Sequence, residues 1–282
     1  MLNRRIFLTA GAGLAGAAAQ EPAPVQRKGR LKQCVTSGVF GKGRTLEENA
    51  RDAARLGAKG FDLIGPKDWP TLKKYGLIPT MVLGFGGTIP DALNRKENHD
   101  RIEASMREGI DICAKEKAPN LITFSGNRRG MSDAEGMDNC ALFLNKIKAQ
   151  AEDKGVTICI ELLNSKVNHK DYMCDHASWG VELMKRVGSP RVRLLYDIYH
   201  MQIMDGDIAR TIRDNIQYIA HFHTGGNPGR HEIDETQELN YHFVAQAIAD
   251  AGFTGYIAHE YSPAQGRDPI QSLEQAMKIC EV

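Results

Sequence analysis

Along residues 31–261, short apolar runs rich in β-branched side chains alternate with longer stretches in which apolar residues recur every three or four positions. The first pattern suits buried strands and the second suits helices, so their alternation predicts parallel β/α units. The predicted strands are LKQCVT (31–36), GFDLI (60–64), IPTMVLG (78–84), NLITFS (120–125), TICIELL (157–163), VRLLYDI (192–198), YIAHFHT (218–224) and YIAHEY (256–261). Between them TLEENARDAARLG, HDRIEASMREGIDICAKEK and DAEGMDNCALFLNKIKAQAEDKG read as helices. The last is opened by Ser132 as N-cap, with Glu135 three residues on. Eight strand–helix units in about 250 residues is the count of a (β/α)8 TIM barrel, an α/β fold in a single domain. A doubly wound open sheet would want a glycine-rich nucleotide turn after an early strand, and VFGKGRT (39–45) lacks that spacing.

The pattern starts only at residue 31. Ahead of it, MLNRRIFLTAGAGLAGAAA (1–19) carries Arg4-Arg5, then Phe7-Leu8, then a weakly apolar Ala/Gly segment with a small-residue cleavage site. This is the make-up of a twin-arginine export signal and predicts a periplasmic protein. Removal of residues 1–19 would take away two arginines and no acid, lowering the formal charge of +1 by two. Residues 20–30 read as a polar, proline-containing leader, and 31–282 as the barrel. No run approaches the ~20 apolar residues of a membrane span.

Composition alters this picture in two places. Lys plus Arg (36) and Asp plus Glu (35) nearly cancel, so there is no basic excess to hold a phosphate backbone, and nucleic acid is not an expected partner. The six cysteines (34, 113, 140, 159, 174, 280) contain no CxxC pair, and several sit inside apolar runs. They are expected to be buried free thiols. The expected partner is a small molecule, and a homo-oligomer is left open.

In a barrel of this kind, chemistry gathers at the C-terminal ends of the strands. Strand five ends ICIELLN with Glu161, strand six LLYD with Asp197, strand seven AHFHT with His223 and strand eight IAHEY with Glu260. Three carboxylates converging in a partly dry cavity repel one another unless a cation lies between them. Oxygen-rich ligation with one imidazole suits one divalent metal ion, Mn2+ or Mg2+ first, with Co2+ or Zn2+ as alternatives. His200, three residues after Asp197, is placed to reach a substrate oxygen. His221 and His259 alternate with rim residues and are read as structural. In the glycine-rich stretch after strand seven, Arg230 offers a bidentate donor. Asn164, Lys166 and His169 after strand five are further polar candidates, and Trp69 is a candidate apolar wall.

The stretches ELLNSKVNHKDYMCDH, LLYDIYHMQIMDGD, HFHTGGNPGRHEIDETQELNY and GYIAHEY resemble the hydroxypyruvate isomerase-like branch of the xylose isomerase-like sugar isomerase/epimerase barrels. The resemblance runs through most of residues 31–265 and is densest from 157 onward. It implies that Glu161, Asp197, His223 and Glu260 hold the metal, that the two glutamates double as the acid/base pair, and that His200 and Arg230 contact substrate. Two departures qualify it. Many hydroxypyruvate isomerases carry glutamine where this chain has His223, the histidine form being closer to ketose 3-epimerases. Those epimerases place a second glutamate where this chain has Val167. The expected activity is therefore isomerisation or epimerisation of a sugar or small hydroxy-carbonyl compound through an enediolate. The alternative is a metal-dependent lyase or hydratase acting on oxidised (3-keto) glycosides at the same site. A binding-only barrel would not need both Glu161 and Glu260, and a zinc nuclease barrel would need more strand-end histidines and a basic groove.

Overall fold

Eight strands, β1 (Lys32–Val35), β2 (Gly60–Ile64), β3 (Ile78–Gly86), β4 (Asn120–Thr123), β5 (Thr157–Glu161), β6 (Val192–Asp197), β7 (Ile219–Thr224) and β8 (Tyr256–His259), pair in parallel in chain order. β8 closes on β1, with Val35 opposite His259. The structure is a computed structural model and describes residues 24–282. The expected export signal and the first residues of the leader lie outside that range.

All eight predicted strands are present. Several stop short of the apolar run because the chain bends into a loop at the rim, whereas β3 continues to Gly86. The helices are α1 (Leu46–Arg55), α2 (Trp69–Lys74), α3 (His99–Glu116), α4 (Asp133–Lys154), α5 (Ala177–Val187), α6 (Ile198–Met204), α7 (Ile208–Asn215), α8 (Tyr241–Asp250) and α9 (Pro269–Ile279). α4 begins as its sequence suggested, with the Ser132 hydroxyl accepting from Glu135 N–H at 3.2 Å. α1 has the fuller arrangement, a reciprocal capping box between Thr45 and Glu48. α3 turns Ile102, Met106, Ile110 and Cys113 inward at three- to four-residue spacing, which covers the outer face of the strands.

Strands covered on both faces read as unbroken apolar runs, and every residue of β5 is buried. All six cysteines are buried and free. Trp69, which the sequence leaves open between a wall of the site and a helix-packing residue, is 3% exposed and belongs to the hydrophobic core. From Val25 onward the leader is fastened across the base of the barrel. Val25 N–H donates to Arg55 O at 2.8 Å, Arg30 N–H to Val282 O at 2.7 Å, and Arg27 pairs with Glu281 at 2.8 Å. No described helix is long and apolar enough to cross a membrane.

One irregularity positions the site. The β2–β3 register shifts on both sides of Asp62, and Leu63 takes a φ of 57°, left-handed backbone that a bulky side chain rarely adopts.

Candidate active site

Glu161 and Asp197 are the last residues of β5 and β6, His223 lies one before the end of β7, and Glu260 follows β8 directly. Parallel register sets Asp197 beside His223, so all four face one rim. A donor atom from each lies within 4.8 Å of the others. His223 Nδ1 is 2.6 Å from Glu260 Oε2, 3.4 Å from Glu161 Oε1 and 3.9 Å from Asp197 Oδ2. None of these approaches is aligned as a hydrogen bond, so Nδ1 is a buried nitrogen without a partner. A buried polar atom of this kind calls for a ligand. Hard carboxylate oxygens plus one imidazole nitrogen fit a divalent ion.

Asp197 divides its two oxygens. Oδ1 caps α6, accepting from His200 N–H at 3.0 Å. Oδ2 faces the cluster and accepts from Arg230 Nη2 at 2.6 Å, and the same nitrogen donates to Glu260 Oε2 at 2.6 Å. Arg230 reaches this point from a tight loop with a φ of 56° at the arginine itself. At Gly226 in that loop, a Cβ would come within 2.0 Å of Glu232 O, so only glycine fits. The guanidinium also lies over the Tyr199 ring, 5.1 Å from its centroid.

His200, fully buried in the first turn of α6, accepts at Nδ1 from Asn164 N–H at 3.2 Å, with Asn164 Nδ2 at 2.5 Å. Its Nε2 is turned toward Arg230 Nη1. Asn164 is a support for His200, its own Oδ1 accepting from Val167 and Asn168 N–H at 2.9 Å. His169 lines the cavity with its ring 5.2 Å from that of His200. Lys166 is not brought in: its ammonium donates to Ile203 O and Met204 O at the end of α6. His259 is structural, as expected, bonded to Thr224 and Gln33.

A residue the sequence reading did not single out stands behind the cluster. Asp62 Oδ2 lies 3.0 Å from His223 Nε2 and 2.5 Å from His221 Nε2, and Thr80 donates to Oδ1. The bond to Asp62 puts the His223 proton on Nε2 and aims the Nδ1 lone pair into the cluster. Cys34, Asp62 and His221 also bring donor atoms within 4.8 Å, but there both histidines already occupy Asp62. The signal was available: GFDLI is an apolar run broken by a carboxylate, the same anomaly that marked Asp197. Asp62→Asn is expected to weaken divalent-metal binding by about 10–100-fold, the usual cost of losing such a support, as read by calorimetric titration.

Proton affinities in the cluster are driven apart. Burial pushes the Glu161 carboxyl up to about 7, with the charges of Glu260 and Asp197 adding and His223 opposing. Burial also acts on Glu260, but Arg230 and His223 outweigh it and hold that carboxyl below its usual range. Two carboxyls with opposed proton affinities at one cavity suit an acid and a base. A carboxyl must lose its proton to ligate, so metal affinity is expected to rise with pH through about 7 with net proton release. Titrations at pH 6 and pH 8 check this, and equal affinities would contradict it.

Glu161, Glu260, His200 and Arg230 line a cavity of 680 Å³ whose remaining wall includes Leu83, Phe124 and Leu163.

Residues 50–281 match the profile of a family described as xylose isomerase-like TIM barrel. A 2-oxo-tetronate isomerase of Cupriavidus necator is 30% identical over 220 residues, spanning 76% of this chain and 77% of that protein. A putative hydroxypyruvate isomerase of Danio rerio is 29% identical over 171 residues, 57% of this chain and 62% of that protein, less than two thirds of its length. Among solved structures, a 3-keto-D-glucoside 4-epimerase from E. coli superposes with a TM-score of 0.75 at 18% identity, covering 88% of this chain and 99% of that one. A D-psicose 3-epimerase from Clostridium cellulolyticum H10 gives 0.72 at 17% identity, covering 89% and 98%. These two share the fold.

Proposed function

The chain belongs to the xylose isomerase-like TIM barrel family, and from that premise we propose that it is a divalent-metal-dependent isomerase or epimerase of a sugar or hydroxy-carbonyl compound. The observation that carries this reading is the pair Glu161 and Glu260, one on each side of a shared donor cluster, with opposed proton affinities. The names of the relatives point to the same reaction class.

Glu161, Asp197, His223 and Glu260 would hold the metal. A divalent ion there supplies polarisation of a substrate carbonyl, which acidifies the neighbouring C–H. Glu260, the more readily ionised of the pair, takes the proton from carbon and later releases it to solvent, and Glu161 returns a proton drawn from solvent, at the oxygen not used as a ligand, to the adjacent carbon or the opposite face. His200 and Arg230 stand beside the cluster, where we assign them to contact substrate oxygens. Leu63 and Phe124 give that cavity apolar wall beside the two glutamates.

The test is a screen of purified, Mn2+-loaded protein for substrate-dependent deuterium uptake from D2O across ketoses, hydroxypyruvate and 2-oxo-tetronate. Failure of every compound to exchange carbon-bound hydrogen would overturn the reading. Elimination from an oxidised glycoside would begin with the same proton removal. The cavity's size favours that second reading, since 680 Å³ exceeds what a three- or four-carbon acid fills. Product analysis with 3-keto-glycosides and simple ketoses separates the two.

The place of action we propose is the periplasm, on the strength of Arg4-Arg5 and the segment that follows. Replacing both arginines with lysine is expected to leave uncut precursor in the cytoplasm, read by fractionation and immunoblot. Normal delivery of that variant would remove the proposal.

A further inference from the structure

Two cavities meet at the candidate site. One of 680 Å³ and one of 350 Å³ share Leu63, Arg230 and Glu260 in their walls. The smaller is the more polar of the two, with Thr36, Ser37 and Ser262 in its wall. The larger is apolar, with Leu83, Ile89, Phe124 and Leu163. We propose that the substrate is a neutral sugar derivative carrying an apolar substituent, with its polyol in the polar lobe, its substituent in the apolar lobe and its reacting carbons between Glu161 and Glu260. The proposal deepens the isomerase reading above and rests on it.

Three observations support it. The first is charge. Arg230 is the sole arginine or lysine among the described residues lining either lobe, and its charge is already matched by two carboxylates. Nη2 bonds both Asp197 and Glu260, and Nε donates to Glu260 O at 3.2 Å. Apart from the metal itself, an anionic group on the substrate would find no unmatched cation on the walls. The second is size, because a cavity of this volume encloses a molecule well beyond a small acid. The third is Leu63. A leucine held at a φ of 57°, in a strand whose register shifts around it, is costly backbone. The residue sits where the two lobes join, so that geometry shapes the passage between them.

The experiment is calorimetric titration of Mn2+-loaded protein with phenyl β-D-glucopyranoside, methyl β-D-glucopyranoside and D-erythronate. The phenyl glycoside is expected to bind about tenfold or more tightly than the methyl glycoside, the effect of burying one aromatic group, and erythronate is expected to bind least. Leu83→Asp places a charge on the wall of the apolar lobe at a position 37% exposed, so folding should survive, as thermal melting will show. That variant should lose the phenyl preference, the two glycosides then binding alike. Equal affinities, no detectable binding of either glycoside, or tighter binding of erythronate overturns the proposal. Deuterium exchange with a small ketose but no phenyl preference would leave the isomerase reading standing and this one refuted. A phenyl preference with no exchange on any ketose would do the reverse.

Discussion

Glu161→Gln and Glu260→Gln are each expected to abolish turnover, by roughly 10²–10⁴-fold or more, the range for loss of a general acid or base. Glutamine keeps the size of the side chain and one neutral ligand oxygen but has no proton to give or take. The two losses should be non-additive, because the residues act in successive steps of one reaction. Deuterium exchange distinguishes their roles. With Glu260 holding its proton weakly and Glu161 strongly, Glu161→Gln should still exchange substrate hydrogen with D2O without forming product. Glu260→Gln should do neither. The reverse pattern would swap the assignments. Two folded, metal-loaded variants with near-native turnover would mean that the carboxylates are ligands only.

Asp197→Asn is expected to abolish metal binding. Its Oδ2 is the fully buried cluster-facing oxygen, and its charge helps to balance both Arg230 and a divalent ion. Asparagine retains an oxygen that can cap α6 in place of Oδ1, so the helix start is preserved and the barrel should fold. The native protein is expected to bind a single divalent ion and to melt at a higher temperature when loaded, since a ligand that binds only the folded state stabilises it. The variant should show neither the ion, by elemental analysis, nor the shift in melting temperature. Unchanged metal content in Asp197→Asn would place the site elsewhere.

The sequence carried the barrel and its rim because both are local patterns. An apolar run ending in a charged residue identifies a strand end, and parallel closure in chain order then brings successive strand ends together. Glu161, Asp197, His223 and Glu260 were legible in that way, one strand at a time. Asp62 was not singled out, although GFDLI holds the same anomaly, because its meaning depends on His221 and His223, about 160 residues away in the chain and across the barrel. Trp69 was ambiguous for a related reason: a tryptophan beside two prolines can wall a site or fill a core, and only packing chooses. Lys166 was a candidate by position, yet it turns back to the carbonyls of α6.

What the chain determines by itself is therefore periodicity and the residue types at the ends of each period, since side-chain alternation and helical repeat are set by neighbours a few positions apart. The division of labour in the site is decided by tertiary structure. Which oxygen of Asp197 caps and which faces the cluster, which nitrogen of His223 is free, and which glutamate holds a proton all depend on groups from other strands. Those groups meet in a dry interior, where a single bond or neighbouring charge outweighs intrinsic preference. The two lobes are likewise a product of closure, formed where the bulge at Leu63 meets loops that follow β1, β3 and β7.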